Sequence, residues 1–184
     1  MRLLRLILLY GAIIMPYQQT FISNSTKLFI DTRTVDAIVK YSTKYRVEDA
    51  LIRAIITAES AWDPWAVRYE KKLKGKAWYK RAIPKKYSKN NFAFSSIGLM
   101  QVLYGIAHHD LGYRGDPVGL MDPDKSIMYG TKHLKGLLKR YPDTKDAISA
   151  YNQGSPKRDE SGKHRNAPYV FKVYREYRKC GGSQ

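Results

Sequence analysis

The 184 residues, 43% of them apolar and 12% aromatic, suffice for one domain with a real core and exclude a wholly disordered chain. Thirty-three Lys and Arg against 16 Asp and Glu leave a formal net charge of +17, so the surface attracts polyanions over a Debye length of about 8 Å. Nucleic acid, anionic membranes and anionic wall polymers all qualify, and plain solubility is the fourth reading. The single cysteine, Cys180, excludes an internal disulfide, a four-cysteine zinc site and a Cys-Cys redox motif.

In chain order, Arg2 and Arg5 precede an apolar run at 6–15, closed by Pro16 and Tyr17-Gln18-Gln19. This is the layout of an export signal, and ten apolar residues fall short of the about 20 that span a bilayer, so no stable transmembrane helix is expected. Only Ser23-Asn24-Ser25 offers a cleavage site, and loosely. Residues 1–25 therefore read as an export signal or as an N-terminal arm folded onto the domain. Residues 179–184 form a short tail.

From Thr34 the pattern is helical, with Val35, Ile38 and Val39 at spacings of three and four. A second helix carries Val47, Leu51, Ile52, Ile55 and Ile56, with Asp63-Pro64 as its stop. Between Arg68 and Phe94 a basic stretch, interleaved with Trp78, Tyr79 and Tyr87, predicts an exposed loop or short helix inserted into the domain. Helical periodicity resumes at Gly98 and passes through Leu99, Val102, Leu103 and Ile106 to a stop at Gly112. Asp122 as N-cap and Pro123 in the first turn start another helix, with Ile127, Met128, Leu134, Leu137 and Leu138, that runs to Pro142. A short helix follows at 144–151. After a polar loop, Ala167-Pro168 opens a last helix with Tyr169, Val170, Val173, Tyr174 and Tyr177 on one side. No segment alternates with period two, and the expectation is a mainly α single domain.

Glu59 continues the register of Ile52, Ile55 and Ile56, which places a carboxyl on a buried face. Desolvation there raises its pKa from about 4.3 towards neutrality. A carboxylic acid that keeps its proton can assist departure of a sugar oxygen; a Glu capping a frayed helix end is the plainer reading. Glu59-Ser60, Gly98-Leu99-Met100-Gln101 and Ala150-Tyr151-Asn152 supply short polar groups suited to sugar hydroxyls and N-acetyl groups.

These three clusters, read as Glu59-Ser60-Ala61-Trp62-Asp63-Pro64, Gly98-Leu99-Met100-Gln101 and Ala150-Tyr151-Asn152-Gln153-Gly154, resemble the ordered motifs of the soluble lytic transglycosylases. The Leu120-Met121-Asp122-Pro123 helix start also matches, and the resemblance covers residues 34–178. It implies a goose-type, lysozyme-like helical domain that cleaves the β-1,4 bond between N-acetylmuramic acid and N-acetylglucosamine in peptidoglycan, without cofactor or metal. Glu59 would act first as acid and then as base, closing the muramoyl 6-hydroxyl onto C1 to leave a 1,6-anhydro end. Residue matching assigns Ser60, Met100, Gln101 and Asn152 to substrate binding and Tyr151 to a hydrogen bond near the reacting sugar that holds Glu59. Tyr169 is assigned a contact with Glu59 or a core role. Arg68 and Leu103 depart from the family pattern, which often has serine and methionine there.

A hydrolase would use a second carboxylate about 6.5–9.5 Å from the acid if inverting. Glu70 and Asp110 are candidates, whereas Asp63 before Pro64 reads as a turn former. His108 and His109 are adjacent and ill placed to share a metal. The basic, aromatic run at 71–89 also reads as a nucleic-acid surface, which would make the chain a non-enzymatic binding module; no nucleic acid is expected if the motifs carry the function. In the enzyme, that run flanks the cleft with sugar-stacking aromatics and wall-binding lysines, or is a solvated loop. Export to the periplasm or cell envelope follows from the enzyme reading. Remodelling of the cell's own wall, a secretion machine and a phage particle or lysis system are all open as settings; Tyr69-Glu70 after Trp65-Ala66-Val67-Arg68, with the basic insert, is similar to phage-borne and mobile-element members.

Overall fold

The computed structural model describes residues 30–183; the stretch read as an export signal lies outside them. Helix α1 (Thr32–Tyr45) starts at Asp31, whose carboxylate accepts from the Arg33 N–H at 3.1 Å. Its buried row is Thr34, Ala37, Ile38 and Tyr41, while Val39 is 52% exposed, so the face is rotated from the expected one. The cause is the partner helix α5 (Pro123–Arg140): the Tyr41 hydroxyl donates to Asp124 at 2.7 Å, and Lys40 pairs with the same carboxylate at 3.0 Å.

Helix α2 (Asp49–Glu59) buries Ala50, Leu51, Ile52, Ala54, Ile55 and Ile56, more of its circumference than an amphipathic surface helix. It ends four residues before the expected Asp63-Pro64 stop. Ser60 closes it by donating its N–H to the Ile56 carbonyl at 3.1 Å, and Ala61 and Trp62 follow at positive φ, 51° and 71°. Asp63 then accepts from the Trp65 N–H at 2.9 Å, the turn its sequence predicts.

A small antiparallel sheet, not expected from the sequence, is formed by β1 (Val67–Tyr69), β2 (Ser95–Ile97) and β3 (Val102–Leu103), in that order. Strands of two and three residues are too short for alternation to register. The Gly98-Leu99-Met100-Gln101 cluster is the turn between β2 and β3 and not a helix head; α4 (Tyr104–His109) begins after it. Gly98 has φ 78°, and a Cβ there would collide with the Leu120 carbonyl and the Ser126 hydroxyl, so only glycine fits.

The insert joins β1 to β2 through three 3-10 turns and the short helix α3 (Ala77–Ala82). It is pinned to the domain by Tyr79, which is fully buried and not the exposed aromatic expected of it. The Tyr79 hydroxyl donates to the Ala93 carbonyl at 2.9 Å and accepts from the Gly105 N–H at 2.8 Å. The last three helices start where the sequence places them. Helix α5 is capped by Asp122, α6 (Thr144–Gln153) by Asp143, and Gly154 ends α6 in the left-handed region. Helix α7 (Ala167–Lys179) buries Val170, Val173 and Tyr177. Packing of α1 on α5, α2 on α7 and α6 on both α5 and α7 closes the core.

Candidate active site

Glu59 is the last residue of α2, and the packing of α2 on α7 decides what it meets. Tyr169, two residues into α7, donates its phenolic proton to Glu59 Oε1 at 2.6 Å. That is the only hydrogen bond of the Glu59 side chain among the described residues, so the carboxyl does not cap a backbone amide. Burial pushes its pKa above the ordinary 4.5, and the Tyr169 hydrogen bond and the positive charges of Arg68 and Lys172 pull against that rise. Burial, and the neighbouring Glu59 charge, raise the Tyr169 phenol well above its usual range, so it serves as a fixed donor.

Around this pair the chain assembles groups from distant segments. Tyr151 on α6 donates to the Met100 carbonyl at 2.8 Å, and its buried phenol is held protonated by desolvation. It therefore braces the β2–β3 turn, and the phenol that touches Glu59 is that of Tyr169. The ring of His133, on α5, lies 5.3 Å from that of Tyr151, and burial holds it towards the neutral form.

Ser60 Oγ spans from the end of α2 to the same turn, donating to the Leu99 carbonyl at 2.8 Å. Gln101, at φ 47°, donates both amide protons to backbone carbonyls, Ala66 at 2.9 Å and Gly98 at 3.0 Å, which leaves its side-chain oxygen for any ligand. The Met100 side chain is fully buried, its sulfur 3.8 Å from the Thr131 hydroxyl, and its N–H and carbonyl are taken by Ser126 and Tyr151. It shapes the turn from beneath, and the side-chain contact with substrate expected from its motif is not open to it. Asn152 is exposed, its carbonyl oxygen accepting from Asn166 at 3.1 Å.

Two cations beside Glu59 were not picked out from the sequence as part of the site. Arg68 donates through Nε to Glu70 at 2.7 Å, and the Ser96 hydroxyl reaches the same oxygen at 3.3 Å. No sequence signal marked the pairing, since Glu70 lies just past a strand of three residues. Lys172 donates to the Ala58 carbonyl at 2.9 Å at the end of α2, and it lies one turn beyond Tyr169 on α7. The two adjacent histidines face different partners, His108 the Ala82 carbonyl and His109 the Asp110 carboxylate. Among the described residues no three His, Cys, Asp or Glu side chains converge as a metal site.

Residues 36–169 match the Transglycosylase SLT domain family. The chain belongs to that family. The SLT domain accounts for the architecture, a mainly α, lysozyme-like domain of the goose type with seven helices and one small sheet among the described residues. It also sets the enzyme class, lytic transglycosylases acting on peptidoglycan, and hence a place of work outside the cytoplasm. The SLT chain is similar to invasion protein IagB of Salmonella typhimurium, 27% identical over 165 residues that cover 84% of this chain and 83% of the relative. It is likewise similar to invasion protein IagB of Salmonella typhi, 27% identical over 162 residues, covering 83% and 81%. No helix among the described residues is long and apolar enough to cross a membrane.

Proposed function

We propose that this SLT domain cleaves the β-1,4 bond between N-acetylmuramic acid and N-acetylglucosamine and leaves 1,6-anhydromuramoyl ends, with Glu59 as the sole acid and base. The observation that carries this reading is the Glu59 carboxyl, shielded at the end of α2, raised by burial and oriented through one oxygen by Tyr169. The other oxygen is left to carry the proton.

Protonated Glu59 gives its proton to the bridging oxygen, the C1–O bond breaks, and N-acetylglucosamine leaves with a free 4-hydroxyl. The Glu59 carboxylate then takes the proton of the muramoyl 6-hydroxyl while O6 bonds to C1. Glu59 ends protonated, as it began, and no water is consumed. Tyr169 holds the acid in place through both halves. In this reading the Gln101 oxygen, the Asn152 amide and Ser60 border the sugar groups, with Tyr151 and Met100 fixing the turn that presents Gln101.

A hydrolase would need a second carboxylate to activate water. Glu70 is a carboxylate whose charge acts on Glu59, but Arg68 and Ser96 occupy its Oε1. Mass spectrometry of muropeptides released from purified peptidoglycan tests the choice: anhydro ends are expected, and reducing ends would establish the muramidase. The setting we propose is the periplasm or cell envelope, or a phage particle, where local opening of the wall is required; the likeness to two proteins named for invasion supports such a local role.

A further inference from the structure

Half of the net charge of this protein sits on a platform that the cleavage chemistry does not use. Between Lys71 and His109 there is no Asp or Glu, while nine Lys and Arg fall between positions 71 and 89, against a total of +17. All nine are exposed, and none forms an ion pair or a side-chain hydrogen bond to a carboxylate among the described residues. They are also not on a loose loop. The buried Tyr79, bonded to Ala93 and Gly105, holds α3 against α4 and fixes the geometry of the patch.

Within the patch lies a groove of about 280 Å³, lined by Trp78 and Arg81 of α3 and by Gly105, Ile106, His109 and Asp110 at and beyond α4. Trp78 stands edge-on to Tyr79, ring centroids 5.4 Å apart, and remains 51% exposed, an indole surface that packing leaves to solvent. Asp110, paired with His109 at 2.7 Å, puts a carboxylate into this otherwise cationic groove.

Resting on the reading that peptidoglycan is the substrate, we propose that the α3–α4 groove and its lysine surround are a second docking surface for the same polymer, apart from the Glu59 site. The indole takes the face of a sugar ring, Ile106 offers an apolar edge beside it, and Asp110 accepts from hydroxyl or amide protons. Arg81 and the neighbouring lysines meet the carboxylates of the peptide stems. Lipid headgroups present anions to Asp110, and a flat bilayer does not enter a groove; a nucleic acid adds bases that can stack on the indole but brings a phosphate with every nucleotide against the same carboxylate. The occupant that matches both the cations and the carboxylate is a strand alternating uncharged rings with carboxylates. Such a surface keeps the enzyme on an insoluble substrate between cleavage events by raising its effective concentration there.

The test uses the full chain with Glu59→Gln, so that binding is read without cutting, and sacculi stripped of protein and of covalently attached polymers. Trp78→Ala and Arg81→Gln, singly and together, and Lys71/Lys72/Lys74/Lys76→Gln are compared by co-sedimentation. A loss of roughly tenfold in sacculus affinity is expected for the Trp78/Arg81 pair, the scale of a small interface hot spot. In the active chain the same pair should raise KM on sacculi and leave kcat on a short soluble muropeptide unchanged. Sacculus binding that is indifferent to all of these substitutions overturns the proposal. So does tighter binding of the Glu59→Gln chain to vesicles rich in phosphatidylglycerol, or to duplex DNA, than to sacculi. If the active chain leaves sacculi uncut while the substitutions still weaken binding, the reading of Glu59 fails and the docking surface stands.

Discussion

Charge is handled in opposite ways at the end of α2 and on the insert. Glu59 is desolvated, is met at 2.6 Å by the Tyr169 phenol and feels the charges of Arg68 and Lys172, so its proton affinity is set first by burial and then by these neighbours. The nine cations between positions 71 and 89 stand in water without carboxylate partners, and each acts as an ordinary screened charge. Burial thus separates a group whose proton affinity is shifted from groups that keep an ordinary solvated charge. The substitutions below should follow that division.

The largest effect is expected at the acid itself. Glu59→Gln should lower turnover by about a thousandfold or more, the upper range for losing a positioned general acid and base, measured as release of soluble muropeptides. Its thermal midpoint should equal or exceed wild type at neutral pH. The sign follows from linkage: a carboxyl whose pKa is higher folded than unfolded contributes most below the unfolded value, near 4.5, and costs stability as pH rises through the folded value. An amide at this position escapes that cost. A lower midpoint at pH 7 would remove the claim that Glu59 is held under desolvation.

Next comes the anchor of the insert. Tyr79→Phe leaves the Gly105 N–H and the Ala93 carbonyl without their shared partner inside the domain and should cost about 1–3 kcal/mol, read by urea denaturation. Turnover on a short muropeptide should change little. If the protein loses no stability, the insert is not docked as described.

Tyr169→Phe should reduce turnover by roughly tenfold, the scale of one hydrogen bond to a charged group, and move the alkaline limb of the pH–rate profile upward. The direction is fixed because the Tyr169 hydrogen bond lowers the Glu59 pKa and the acid must be protonated to start the cycle. Arg68→Gln should move the same limb upward, since a positive charge is lost; Glu70→Gln should move it downward, since a negative one is lost. Shifts of the same sign in these two variants would show that their charges do not act on Glu59.

The smallest effect belongs to the insert. Replacing Lys71, Lys72, Lys74 and Lys76 by Gln should alter stability by no more than about 0.5 kcal/mol at each position, because none of these side chains is paired or buried. A fall of several kcal/mol in denaturant titration would mean that the patch is structural after all.

Much of the site was legible before folding. The register Ile52, Ile55, Ile56, Glu59 is local, since a helix repeats every 3.6 residues whatever surrounds it, and α2 buries all three apolar members. The Asp122-Pro123 start was legible for the same reason, as caps are satisfied within a few residues. What was misread depended on partners far along the chain. Gly98 to Gln101 carries apolar residues at helical spacing, yet the pairing of Ile97 with Val102 and of Val67 with Ile97 makes it a turn. Tyr79 looked like one more aromatic among lysines until the Ala93 carbonyl and the Gly105 amide claimed its hydroxyl.

Sequence by itself determined where α2, α5, α6 and α7 begin and that Glu59 continues the buried register of α2, because each depends on spacing and capping within a turn or two. Tertiary structure alone decided which phenol holds Glu59. Tyr151 and Tyr169 are 92 and 110 residues from it, and only the packing of α2 on α7 gives Tyr169 the 2.6 Å contact while Tyr151 turns to the Met100 carbonyl. A hydrogen bond depends on ångström distances between segments, and no local pattern encodes that distance.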